Sequence, residues 1–422
     1  MASWGFREGI SDDKRGDRMT IIYVHGVNVR TPEHGKILEK PFRRWFGPRL
    51  GVNGAEPGYE PVYWGDHGVK FRWNLASRPK TQLLRQGAAG SAMAGLGSLR
   101  GNPDVTPFDR AAPQPMRSGP VLGGPKDADQ MSSLALVRPD ERADFIADLY
   151  LACLPGTVDP VVERPEVAAL ALAASMIAAK WDEIMQAEAS ESDRARALVR
   201  AVDAELRESR AIPMGGAADW FARAGELVKR APLWPGDAVS VLLGEARPYA
   251  NELFARFTGD VFTYLTQRGE KGLPGHIPRL LLAALRRAQA RKNKAGEKIV
   301  VVSHSMGGQL VYDALTYFAE GDNILDKLEV DHWISFGSQV SLFAEMGMFL
   351  GQGASDPAKL PLPRRVQAWT NFYDENDPVG FVMEPVFEGV QDIRYNTGYG
   401  LALAHTGFLA RPTFFQAMAN RL

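Results

Sequence analysis

Ile299-Val300-Val301-Val302-Ser303-His304-Ser305-Met306-Gly307-Gly308 is an apolar run that breaks abruptly into small residues. Ile299 to Val302 read as a strand covered on both faces, because a continuous apolar run suits a parallel sheet better than an alternating one does. An amphipathic helix follows, with Leu310, Val311, Ala314, Leu315 and Phe318 on one side. A strand that turns sharply into a helix strains the residue at the turn and lifts its side chain clear of the sheet. Small residues two before and two after it let strand and helix approach, which is the physical content of the Gly-x-Ser-x-Gly elbow. Ser303 stands where that pattern has its first glycine, and it is still small. Gly307-Gly308 alone would be an ordinary turn, but the strand before and helix after make Ser305 the candidate nucleophile. The helix N-terminus behind it offers free amides and a positive dipole end to an oxyanion.

Outward from the elbow the chain divides into three zones. Residues 246–422 alternate strand candidates (Lys298 to Val302, Asp331 to Phe336, Arg365 to Phe372, Val390 to Tyr395) with helices at Pro278 to Lys292, Gly308 to Glu320 and Thr413 to Asn420. Residues 1–73 add two strand runs, Met19 to Val24 and Glu60 to Trp64, ending at His25-Gly26 and Gly65-Asp66. Alternation of this kind implies crossover connections and a mostly parallel α/β sheet, here of about six strands flanked by helices. Between them, residues 74–245 differ in texture. Gln86 to Ala128 is rich in Gly, Pro, Ala, Met and Ser and reads as loop. Arg142 to Leu151, Pro165 to Ala187, Ser192 to Glu208 and Ala217 to Lys229 read as helices, so this zone is expected to be a large all-helical insertion or cap.

A formal net charge of −1 over 422 residues gives no field for steering nucleic acid. The single cysteine, Cys153, excludes an intramolecular disulfide and a thiolate zinc site. Seven scattered histidines imply no metal. No phosphate-binding Gly-x-x-x-x-Gly-Lys-Ser/Thr occurs, and Gly95-Leu96-Gly97 lies in the loop-like stretch. No cofactor is therefore expected. Met1 to Asp17 shows no secretory signal, and Val167 to Ala179 is too short to span a bilayer, which takes about 20 residues. The expectation is a cytoplasmic chain with no transmembrane segment, free to make transient contact with a membrane surface.

A serine hydroxyl needs a base, and the base needs a carboxylate to orient it. Of the two histidines after Ser305, His332 opens a strand and sits at the wrong edge of the sheet. His405, in a loop past the last strand, can hang its imidazole over the elbow, so it is the expected general base. Past the strand ending at Phe372, Asp374, Glu375 and Asp377 all stand where α/β sheets build sites. Asp377, followed by Pro378-Val379, is preferred as the acid, with Asp374 as the alternative. For the oxyanion, the Met306 amide and an amide of the His25-Gly26-Val27-Asn28 loop, taken as Val27, are the candidate donors. His25 is expected to brace that loop.

In Ile22-Tyr23-Val24-His25-Gly26-Val27, Ser303 to Gly308, Asp374 to Val379 and Ala404-His405-Thr406, the chain resembles the α/β-hydrolase superfamily, especially its lipases and serine esterases. The resemblance covers residues 1–73 and 246–422 and leaves the helical zone without a relative. It implies a Ser305–Asp377–His405 triad acting on a small-molecule or lipid ester. A thioesterase or amidase with the same triad, or a hydrolase-like scaffold without turnover, are the alternatives. Only a short polar segment precedes the first strand, so the leading antiparallel hairpin of the full superfamily sheet is expected to be absent. The apolar helix around Val167 to Ile177 could line an acyl chain, although a helix so apolar more often packs in a core of its own.

Overall fold

In the computed structural model, the described residues are 19–50, 57–74, 134, 137–153, 166–208, 247–351, 359–399 and 401–422. All belong to one of two compact units; the other, 77–132, lies outside them, as does the loop expected over residues 86–128. The helix expected over 217–229 also falls outside the described residues.

Along the chain come β1 (Met19–Val24), α1 (Glu33–Phe46), β2 (Gly58–Val62), α2 (Arg142–Cys153), α3 (Glu166–Ala178), α4 (Trp181–Ala187), α5 (Glu191–Glu208) and α6 (Arg247–Gln267). A two-residue hairpin follows, then α7 (His276–Ala295), β3 (Lys298–His304), α8 (Gly307–Asp313), β4 (His332–Phe336) and α9 (Val340–Glu345). The chain closes with β5 (Trp369–Tyr373), β6 (Val390–Arg394), α10 (Leu401–Gly407) and α11 (Pro412–Ala419). Six strands form one sheet in the order β2-β1-β3-β4-β5-β6, with every neighbouring pair parallel. The order reverses between β1 and β3, and parallel sheets bind ligands outside the carboxyl ends of strands at such a switch point.

The four central strands, β1, β3, β4 and β5, are buried almost throughout because both of their faces are covered, whereas the edge strands β2 and β6 are only partly buried. Ile22, Val24, Val301 and Trp333 pack with Leu281, Leu285, Leu310 and Val311 of α7 and α8. Their neighbours in sequence, Ile21, Tyr23, Val302, Ile334 and Phe336, point the other way and meet Phe42 and Phe46 of α1 and Phe414 and Phe415 of α11. Each such side chain contributes roughly 1.5–3 kcal/mol by burial. Helix α3 is apolar all round because it is buried on two sides. Ala168 and Ala171 join the layer over the sheet, while Leu170, Ala173 and Ala174 pack with α2 and α5. Most of the apolar surface considered for an acyl chain is thus packed inside the protein, while Met176 remains exposed. Among the described residues, no helix is long and apolar enough to cross a membrane.

Several elements depart from expectation. Helix α6, 21 residues long, was not anticipated; Phe254 and Phe262 on it are exposed, so its apolar residues do not trace one face. The single helix expected over Pro165 to Ala187 breaks between α3 and α4, and the break turns Trp181 inward against Phe145. The helix expected over Gly308 to Glu320 widens after α8 into a π turn, Ala314–Phe318, whose Leu315 carbonyl accepts from buried Arg365 at 2.9 Å. Arg365 thus precedes β5 rather than belonging to it. His405 lies within α10, not in a loop.

Candidate active site

The residue after β3 takes the strained conformation that the elbow requires. Ser305 has φ of +54°, and the only other non-glycine residues with positive φ among those described are Asn28 and Asn74. Its amide donates to the Phe336 carbonyl at 3.0 Å, tying the turn to the end of β4. A Cβ on Gly307 would come within 2.5 Å of the Val24 carbonyl oxygen, so the helix behind the elbow can approach β1 only without a side chain there. Ser303 is wholly buried, and its Oγ accepts from Trp333 Nε1 at 2.8 Å. The substituted position therefore serves packing, with its hydroxyl satisfied.

Across the switch point, the loop after β1 meets the elbow. A Cβ on Gly26 would stand 2.6 Å from Ser305 Cβ and 3.2 Å from its Oγ. His25 holds this loop from within. Its Nε2 accepts from the Trp64 amide at 3.0 Å, so Nδ1 carries the proton and donates to the Gly26 carbonyl at 2.7 Å. The Trp64 indole stacks on the imidazole at 5.0 Å and donates to the His25 carbonyl. Burial, only partly offset by that backbone bond, drives the His25 pKa down to about 3, so the ring is neutral. Its role is bracing.

Three side chains from separate segments then form a continuous chain. His405 Nε2 lies 2.9 Å from Ser305 Oγ, and its Nδ1 lies 2.9 and 3.1 Å from the two oxygens of Asp377. Burial pushes the Asp377 carboxyl up, but the charge of His405, its hydrogen bond and the Val379 amide together outweigh this and hold it below its ordinary value. An ionised carboxylate can only accept, so Nδ1 donates and Nε2 is left to accept the Ser305 hydroxyl proton. Asp374 does not reach His405. It accepts from the Thr397 amide and hydroxyl at 2.7 and 2.6 Å and from the Asn376 amide, tying two loops together. Glu375 pairs with Arg394 at the surface. His332 bonds Thr370 and lies outside the site.

Met306 is buried at the start of α8, and Val27 packs against the core cluster that contains it. The neighbouring Asn28 amide donates to Asp260 of α6 at 2.8 Å. Four residues at the site were not singled out from the sequence. His304 donates from Nε2 to the His405 carbonyl at 2.9 Å and stacks on Phe336. Gln339 donates from Nε2 to the carbonyls of Gly337 and Val379 at 2.7 and 2.6 Å, which aims its Oε1 at Ser305 Oγ, 3.4 Å away. Phe257 meets the His405 ring edge to face at 6.4 Å. The fourth is Asp260. Only His304 had a local clue, its place beside Ser305.

No family model matches the chain, and no curated protein matches it. The site stands on its geometry. The loop that leads into α10 is anchored to α2: buried Arg411 pairs with Asp148 at 2.7 Å, and its guanidinium sits 4.2 Å over the Tyr399 ring. Tyr399 also donates to Asp148. Helix α2 thus contributes a fixed point for the segment that carries His405. Among the described residues, no cluster of three or more His, Cys, Asp or Glu is close enough to hold a metal ion.

Proposed function

We propose that the chain is a serine hydrolase of the α/β-hydrolase type, with the described helices between β2 and α6 as part of an insertion, and that it cleaves a carboxylic ester through an acyl-enzyme. The observation that carries this reading is the unbroken Ser305–His405–Asp377 hydrogen-bond chain, set on a serine with left-handed backbone at the end of a central strand.

The steps follow from the donors and acceptors. Ser305 Oγ attacks the ester carbonyl while its proton passes to His405 Nε2, and Asp377 stabilises the imidazolium from the Nδ1 side. The carbonyl oxygen becomes an oxyanion, held by amides fixed before the charge appears. Met306 is one candidate donor. The Asn28 amide is already committed to Asp260, which favours Val27 as the other. Collapse expels the alcohol, which takes the proton from Nε2. Water then attacks the acyl carbon by the same route and returns the serine.

The helical segment has a bracing part in this reading, through Asp148 and Arg411. Ser305→Ala is expected to abolish hydrolysis of short nitrophenyl esters and labelling by a fluorophosphonate, with the fold intact. Turnover or labelling that survives the substitution would overturn the assignment.

A further inference from the structure

We propose that Asp260 is a positioning residue that presets the oxyanion loop; this rests on the hydrolase reading above. Asp260 sits on α6 and is fully buried. A carboxylate in a protein interior is costly unless every lone pair is engaged, and here four donors engage it. Oδ2 accepts from the Asn28 amide at 2.8 Å and Arg30 Nη1 at 3.0 Å. Oδ1 accepts from Arg30 Nη2 at 2.7 Å and the Val69 amide at 2.7 Å.

Two of these donors are backbone groups in the loops that follow β1 and β2. Fixing the Asn28 amide fixes the plane of the peptide that joins it to Val27. It also holds Asn28 at φ +63°, a conformation asparagine tolerates but does not favour. On the other side of Val27, Gly26 is pressed against Ser305. The Val27 amide is therefore bracketed, with Asp260 gripping one flank and the nucleophile itself limiting the other. A lone carboxylate so close to a developing oxyanion would oppose its charge. Arg30, paired with both oxygens, neutralises it. One turn earlier on the same helix, Phe257 rests against the His405 ring, so α6 touches the oxyanion loop and the base from one face.

Such a residue acts through geometry alone, because an oxyanion hole works by having its donors in place before the charge forms. The test compares the full-length protein with Asp260→Asn, using a short nitrophenyl ester and an arylboronic acid, which forms a tetrahedral anion on the serine. The expected result is a fall in kcat of about a hundredfold, the usual scale for donors displaced by an ångström, with KM unchanged. Boronate affinity should fall by a matching factor. A residue that merely ties α6 to the sheet would lower thermal stability and leave boronate affinity per folded protein as in the wild type. That result, or a loss confined to KM, overturns the proposal.

If Asp260→Asn does not yield folded protein, Asp260→Glu decides the matter. It keeps the charge that pairs with Arg30 but carries the carboxylate one methylene further out, which displaces the Asn28 amide, so kcat and boronate affinity should drop in step. Wild-type values for both would overturn the proposal. A wild-type protein that neither turns over esters nor binds the boronate would remove the hydrolase reading itself, an outcome distinct from either variant's failure.

Discussion

His304→Gln isolates the electrostatic cost of one buried imidazole beside the proposed triad. His304 is 9% exposed, stacks on Phe336 at 4.7 Å and donates its Nε2 proton to the His405 carbonyl. Burial first, and then the nearby His405 ring, drives its pKa down from 6.5 to about 3. Between those two values the unfolded chain binds the proton and the folded chain does not, so acid favours unfolding. The stabilisation is complete above the unfolded pKa and is lost as pH falls toward the folded one. At about pH 5 the unfolded histidine lies roughly 1.5 units below its pKa, a penalty of about 2 kcal/mol against almost nothing near pH 7.5.

Glutamine keeps an N–H for the same carbonyl and cannot titrate. The variant should be the less stable protein at neutral pH, through lost packing. Its deficit should then shrink by about 2 kcal/mol between roughly pH 7.5 and 5, read as the difference between urea unfolding curves of the two proteins. Asp148, Asp313 and Asp392, raised by burial, also change the absolute slope, but they cancel in that difference. Asp377, held low, loses its contribution only below the ordinary carboxylate range of about 4, outside the window. A deficit independent of pH would refute the argument, since it would mean that His304 is solvated or already charged in the native protein.

Gly26→Ala places a methyl group 2.6 Å from Ser305 Cβ. Overpacking of this kind costs about 1–3 kcal/mol, and kcat should fall by about a hundredfold as the nucleophile is displaced; near-normal turnover in the folded variant would show that the two loops can part. Asp377→Asn should cost about ten-thousandfold in kcat by favouring the wrong His405 tautomer, measured with the same ester. Asp374→Asn should instead lower stability by about 1–3 kcal/mol through its lost bonds to Thr397 and Asn376, with a much smaller effect on kcat. If the two variants lose activity equally, the assignment of the acid fails.

The parts of this molecule that could be read in the sequence are those written in local spacing. Continuous apolar runs gave the strands because both faces of the sheet are covered, and small residues around Ser305 marked a turn that needs them. The two-sided apolarity of α3 was visible too, but the text alone could not say what it faces. The helix at His405 had a local signal in Leu401-Ala402-Leu403-Ala404, all strong helix formers, which the glycines at 398, 400 and 407 masked. The choice between Asp374 and Asp377 had only a weak local signal, the Pro378-Val379 that follows Asp377, because the two lie in one short loop and it is a histidine 28 residues further on that tells them apart.

Asp260 shows why the remainder was hidden. Its partners at Asn28 and Val69 are backbone amides, 232 and 191 residues away in the chain. A backbone amide is present whatever side chain its residue carries, so Val69 did not have to be a distinctive residue type, and Asn28, at φ +63°, marks only a turn. The acceptor itself reads as one more charged residue on a helix. A motif search finds the groups that react, because chemistry restricts them to a few residue types. A group proposed to hold an oxyanion donor in place is under less restriction at the receiving end, so it emerges only when distant segments are folded together.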